Sequence, residues 1–160
     1  TGVFSGQIEN NEFEKEIRLE PGETRVVEFT PDEFSQLNIE NPRVWWPNPV
    51  GPQELYELNL AFRVNERVSD REKVRLGIRE VSTYINEEGW RGYMINGKKI
   101  LIRGGAWMTS DMLLRLIPER YDALVRYAKE ANLNMLRSEG FSIRETEEFY
   151  DFCDQYGVMV

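Results

Sequence analysis

Through the first half of the chain, apolar and polar positions alternate with a period of two. Ile17 and Leu19 stand between charged neighbours before a turn at Pro21 and Gly22. Val26, Val27 and Phe29 follow before a second break at Pro31. The clearest run extends from Leu55 to Val64, where Glu57, Asn59 and Arg63 alternate with apolar positions, the pattern of a strand with one buried face. Val74, Leu76, Ile78 and Val81 predict another strand. Turn residues return roughly every 8–12 positions, the rhythm of a β-sandwich. Between two of these strands, residues 41–52 hold four of the seven prolines. A central strand cannot accommodate them, so this segment reads as a stiff surface connection with an apolar anchor at Trp45 or Trp46.

The periodicity changes after about residue 84. Tyr93, Met94 and Ile95 lead into Asn96 and Gly97, and then into the run from Lys98 to Ile102. This is a hairpin, because Asn-Gly readily supplies the two positive φ angles of a type I′ turn. Gly104 and Gly105 close that strand. Pro118 and Glu119 open a helix, the proline suited to its first turn and the acid to the positive end of its dipole. Tyr121, Leu124, Val125, Ala128 and Ala131 keep an apolar stripe at helical spacing, and Asn132 ends it. Met135, Leu136 and Arg137 form a short strand that Gly140 terminates. A second helix is expected over 145–156, with Phe149, Phe152, Cys153 and Tyr156 on one face and Gly157 as its stop. Val158, Met159 and Val160 begin a third buried strand. Strand, helix, strand, helix, strand is the rhythm of a parallel sheet with right-handed crossovers.

Composition narrows the chemistry. The 160 residues carry a formal charge of −8, with 41% hydrophobic and 30% charged residues. That is the balance of a folded globular chain. A net negative charge without a basic run argues against nucleic acid, and no apolar stretch is long enough to cross a bilayer. There is no histidine, which excludes Ser-His-Asp and Cys-His chemistry within the chain and removes the commonest zinc and iron ligand. Neither a metal nor a cofactor is expected. The single cysteine, Cys153, cannot form an internal disulfide. Carboxylates, arginines and aromatic residues remain, and these are the groups that glycosidases use. The tryptophans are grouped, as a core cluster or as a stacking surface for a flat ligand, with the core the better reading.

Five collinear segments then carry a resemblance to glycoside hydrolase family 2. Trp45, Trp46, Pro47 and Asn48, followed by Gly51, Leu55 and Tyr56, are similar to the tryptophan-rich motif of that family's immunoglobulin-like domain. Gly77, Ile78, Arg79 and Glu80 resemble its exit from the sandwich. Residues 95–98 with 102–107, ending on Trp107, resemble its passage into a TIM barrel. Asn134 to Arg137 is similar to the second barrel strand, and Phe149 to Val160 to the second helix and third strand. The resemblance implies an immunoglobulin-like β-sandwich over residues 1–84, followed over 85–160 by the first β/α units of a (β/α)8 barrel. Within the family, Trp107, Ser110, Asp111, Leu113, Leu114 and Arg115 are similar to the loop after barrel strand one in β-mannosidases and exo-β-D-glucosaminidases.

From this resemblance Trp107 and Asp111 are expected to hold the sugar, and Arg137 to reach the same pocket beside the catalytic carboxylates. Bland alternatives stand beside each: a core plug for Trp107, a turn cap for Asp111, a structural ion pair for Arg137. After Arg137 the β-mannosidase pattern has an aromatic residue and glycines, whereas this chain has Ser138, Glu139, Gly140 and Phe141, closer to exo-β-glucosaminidases. A pocket carboxylate at Glu139 would favour a 2-ammonium sugar. Alternatively, Glu139 points away and pairs with Arg144 or Lys129.

The family's two glutamates, about 5 Å apart in retaining enzymes, are placed by the resemblance after the fourth and seventh barrel strands. The Asn-Glu pairs at 11–12, 65–66 and 86–87 precede the barrel, so no residue here is expected to be catalytic. The chain accordingly reads as a piece of a glycosidase, inactive alone, with the remainder of its parent chain and a β-linked glycoside as partners and with a tendency to self-associate. A non-catalytic carbohydrate-binding or scaffold module with a borrowed fold is the alternative. The compartment is left open, a periplasmic or secreted parent being compatible.

Overall fold

The computed structural model describes residues 1–109, 111–140 and 143–160. Its packing divides into two units, residues 1–42 with 56–76 and residues 43–55 with 77–160. Residues 77–84 and the tryptophan-rich segment both go with the second unit.

The first unit contains one antiparallel sheet in the order β2-β1-β3-β4, with β1 (Gly2–Ile8), β2 (Asn11–Ile17), β3 (Tyr56–Val64) and β4 (Arg67–Leu76). The alternation read over 55–64 is β3. Its turn into β4 places both Asn65 and Glu66 at positive φ, 49° and 61°, as a two-residue hairpin requires. Gly6 lies opposite Phe13 on one side and Leu60 on the other. A Cβ at Gly6 would come within 2.3 Å of the Phe13 ring, so the phenyl occupies the space a side chain there would need. Val26, Val27 and Phe29 do not form a strand; residues 18–34 carry turns and irregular backbone between Pro21 and Pro31. Phe29 instead places its ring 5.6 Å from Phe4, 4.8 Å from Phe13 and 5.3 Å from Phe34. The segment is thus held by aromatic packing, not by pairing along a sheet.

The second unit begins with an antiparallel sheet, β5 (Val81–Ile85), β6 (Arg91–Ile95) and β7 (Lys98–Ile100). Asn96 and Gly97 have φ of 49° and 75°, the turn the sequence predicts. β8 (Gly104–Trp107) then pairs in parallel with β9 (Met135–Ser138), the two connected through helix α1 (Pro118–Glu130). Helix α2 (Glu147–Tyr156) follows, and Met159 bridges Met135 in parallel. Helical spacing determines what is buried: Tyr121, Val125 and Ala128 from α1, and Phe149 and Cys153 from α2, close over Trp107, Leu136 and Val158. Gly157 ends α2 at φ 76°.

The segment with four prolines is less superficial than a surface connection. Trp45 is its anchor, 1% exposed, while Trp46 is half-buried, and Pro47 and Asn48 are buried as well. The Trp45 indole N–H donates to the Asp154 carbonyl at 2.7 Å, and the Arg79 guanidinium lies 4.6 Å from its ring centroid. Asn48 donates from its amide to the carbonyls of Lys129 and Leu133, at 2.9 and 3.2 Å. It thereby ties this segment to the last turn of α1 and to the residues that follow it.

Candidate functional site

The parallel pairing of β8 with β9 sets Trp107 opposite Ser138 and Ala106 opposite Arg137. Trp107, Arg137 and Glu139 are therefore gathered where two neighbouring parallel strands end. The crevice beyond such carboxyl ends is where open α/β arrangements receive ligands. The Glu139 backbone N–H donates to the Trp107 carbonyl at 3.3 Å, extending the ladder one step past the strand. The Arg137 guanidinium meets the Glu139 carboxylate at 2.5 Å, with the arginine side chain 73% exposed and the glutamate 20%. Glu139 thus pairs with Arg137, not with Arg144 or Lys129.

Asp111 lies on the loop between β8 and α1 and is 8% exposed. One carboxylate oxygen accepts the Leu113 backbone N–H at 2.9 Å. The other accepts Arg115 Nε at 2.8 Å and Arg120 Nη1 at 3.2 Å. The Leu113 amide bond first, then the Arg115 hydrogen bond and the charges of both arginines, hold this carboxyl below the usual aspartate range against a smaller opposing effect of desolvation. Its carbonyl also accepts the Leu114 N–H at 2.9 Å, and Leu114 sits at φ 55°. For a branched side chain this left-handed conformation is costly and persists only where the surroundings impose it. Asp111 accepts the N–H groups of both Leu113 and Leu114 in the turn that carries it.

Trp107 is 9% exposed. Its ring stacks on Phe149 at 4.8 Å and 30°, and its indole N–H donates to Glu145 Oε1 at 2.9 Å. Glu145 is itself 4% exposed and also accepts the Thr109 hydroxyl at 3.1 Å and the Tyr121 phenol. Burial, and then the hydrogen bond to Glu145, push the Tyr121 phenol up to about 12. The sequence pattern puts Glu145 at the start of the second helix and gives it no role, whereas the helix begins at Glu147 and leaves Glu145 before its N-cap. Its burial is set by what packs around it, and no local pattern announces that. The motif residues Ser110 and Phe141 lie outside the described residues.

Among the described residues no group of three or more Cys, Asp or Glu side chains could hold a metal ion, and no helix is long and apolar enough to cross a membrane. A concavity of about 900 Å³ lies elsewhere, on the sheet of the first unit, where Gln7, Glu14, Phe34, Asn59, Arg63 and Lys73 are among its lining. It is open, and its Arg63 and Glu14 pair with each other at 2.8 Å. It offers no convergent chemistry comparable to the strand ends.

Comparison with known proteins agrees with the glycosidase resemblance. The family described as "Glycosyl hydrolases family 2" matches residues 2–79. An exo-beta-D-glucosaminidase of Streptomyces avermitilis is 39% identical over 159 residues, covering 99% of this chain and 17% of that protein. A mannosylglycoprotein endo-beta-mannosidase of Lilium longiflorum is 34% identical, covering 100% and 17%. The structure of the Amycolatopsis orientalis exo-chitosanase in complex with PNP-beta-D-glucosamine superposes with a TM-score of 0.82 at 32% identity, covering 98% of this chain and 18% of that one. These relatives are glycoside hydrolases, and this sheet-rich chain shares their fold over nearly its whole length. Its residues 2–79 match the model of glycoside hydrolase family 2, and glucosaminidases and mannosidases are among the proteins it is similar to. The chain spans 17% of the length of each of these two curated relatives.

Proposed function

We propose that this chain supplies one wall of the sugar pocket in a longer retaining glycosidase that cleaves β-linked glucosaminides or mannosides, with both catalytic glutamates carried on other residues. In this reading residues 1–84 are part of an immunoglobulin-like sandwich and residues 85–160 the first β/α units of a TIM barrel. The observation that carries it is the Arg137–Glu139 pair at the ends of two adjacent parallel strands, next to Trp107.

Each residue has a task that its surroundings permit. Glu139 is half-buried and bound to a guanidinium through one oxygen, which leaves acceptor capacity for a sugar ammonium. Arg137, whose side chain is largely exposed, engages Glu139 through one guanidinium nitrogen and keeps further donors with which to hold a catalytic carboxylate in its charged form. Asp111 has three of its roughly four acceptor positions occupied, so it offers a sugar hydroxyl a single site while ordering Arg115. Trp107 is largely buried, with its ring stacked on Phe149 and its N–H bound to Glu145, so it forms the floor behind the pocket. No metal or cofactor enters this chemistry.

The test is Glu139→Gln in the full-length protein, assayed on paired chromogenic β-glucosaminide and β-mannoside substrates. Loss of a charge-assisted contact to the amine should lower kcat/KM on the glucosaminide by about 10- to 100-fold and leave the mannoside nearly unchanged. An equal loss on both would exclude amine recognition by Glu139. Absence of hydrolysis by the unaltered full-length protein would favour a non-catalytic carbohydrate-binding module.

A further inference from the structure

We infer that Glu145 is a positioning residue for the sugar pocket, acting through Trp107 on the placement of Glu139. The inference rests on the reading of Trp107 and Glu139 as pocket residues. Glu145 is 4% exposed, yet its carboxylate is surrounded by neutral donors from three places in the chain: the indole of Trp107 at the end of β8, the hydroxyl of Thr109 on the following loop, and the phenol of Tyr121 on α1. Glu145 also immediately precedes Thr146, the N-cap residue of α2. One side chain thus joins both helices to the strand end from which the Asp111 loop departs.

The chemistry is directional in a way that packing alone is not. Phe149 fixes the plane of the Trp107 ring at 4.8 Å, but stacked rings slide over one another at little cost. A hydrogen bond from the indole N–H to a buried acceptor fixes the ring edge as well. The Trp107 carbonyl in turn accepts the backbone N–H of Glu139. Glu145, Trp107 and Glu139 form a continuous chain of contacts from the helix layer to the strand ends. A carboxylate is costly to bury, and an apolar side chain of similar volume would fill the same space. Retaining an acceptor here makes sense if the orientation of Trp107 matters.

The experiment compares Glu145→Gln with Glu145→Leu in the full-length protein. Gln keeps an acceptor oxygen for the indole and can donate to the Tyr121 oxygen, whereas Leu fills the space without an acceptor. Two readouts are taken. In hydrogen exchange, the Glu139 amide should lose protection in the Leu variant and keep it in the Gln variant. In kinetics on a chromogenic β-glucosaminide, the Leu variant should raise KM by about tenfold with kcat nearly unchanged, as expected of a displaced binding group. The Gln variant should stay close to the parent. Unaltered Glu139 protection in the Leu variant, or equal defects in both variants, would overturn the inference. Should the Leu variant fail to fold, Glu145→Asp takes its place, because its carboxylate stops one methylene short of the indole. If the unaltered protein hydrolyses neither the β-glucosaminide nor a matching β-mannoside, the proposed function fails, and hydrogen exchange alone then decides the role of Glu145.

Discussion

Replacing Trp45 by Phe tests whether the tryptophan-rich segment is anchored as described. Trp45 is 1% exposed, so the substitution removes buried surface and a hydrogen bond together. The smaller ring gives up roughly 50 Å² of apolar burial, worth about 1.2 kcal/mol. Losing the indole donor to the Asp154 carbonyl adds about 1–1.5 kcal/mol, giving about 2–3 kcal/mol in all. The assay is urea unfolding followed by circular dichroism, with Trp46→Phe as the control because Trp46 is only half-buried. A double-mutant cycle of Trp45→Leu with Arg79→Leu should give a coupling of about 0.5–1 kcal/mol for the guanidinium over the ring. A loss below about 1 kcal/mol for Trp45→Phe, or a loss equal to that of Trp46→Phe, would refute the anchoring role.

Two further outcomes follow from the site and the strand pair beneath it. The Asp111 carboxyl is held below its usual range, so the order it gives its loop is fully present above the unfolded value near 3.9 and is lost as pH falls through the lower folded value. Acid titration of Leu113 amide protection should show this, and Asp111→Asn should remove the transition; a midpoint above about 4 would contradict the assigned cause. A Cβ at Gly104 would stand 2.1 Å from the Met135 carbonyl oxygen, whereas one at Gly105 would meet nothing within 4 Å. Gly104→Ala should therefore cost about 1–3 kcal/mol and Gly105→Ala almost nothing, and equal melting temperatures for the two would count against the tight β8–β9 approach.

The parts legible in the sequence are those whose cause is local. Strand β3, the Asn96–Gly97 turn, both helices and the stop at Gly157 each follow from spacing or from one residue's backbone preference. The pairing of Glu139 with Arg137 was also within reach, since residues two apart along an extended chain share a face. Other features depended on partners distant in sequence. Nothing around Phe29 says that its ring will join Phe4 and Phe13 in place of forming a strand. Adjacent tryptophans give no sign which one will be buried; the choice falls on Trp45 because Asp154 and Arg79 receive it. Glu145 looked like an ordinary acidic residue near a helix start, and its burial arises only once Trp107, Thr109 and Tyr121 converge on it.

The Trp45 anchor also has a consequence for how the protein is made. Its indole binds a carbonyl 109 residues further along the chain. At typical translation rates that interval is roughly 5–20 s, during which residues 56–76, with their own antiparallel hairpin, emerge and can pair. A large aromatic side chain, beside a second one, stays without its native cover throughout that period. The nascent chain should therefore be most exposed to chaperones and to aggregation while residues 77–154 are being synthesised, and the hazard should end when α2 closes over the segment.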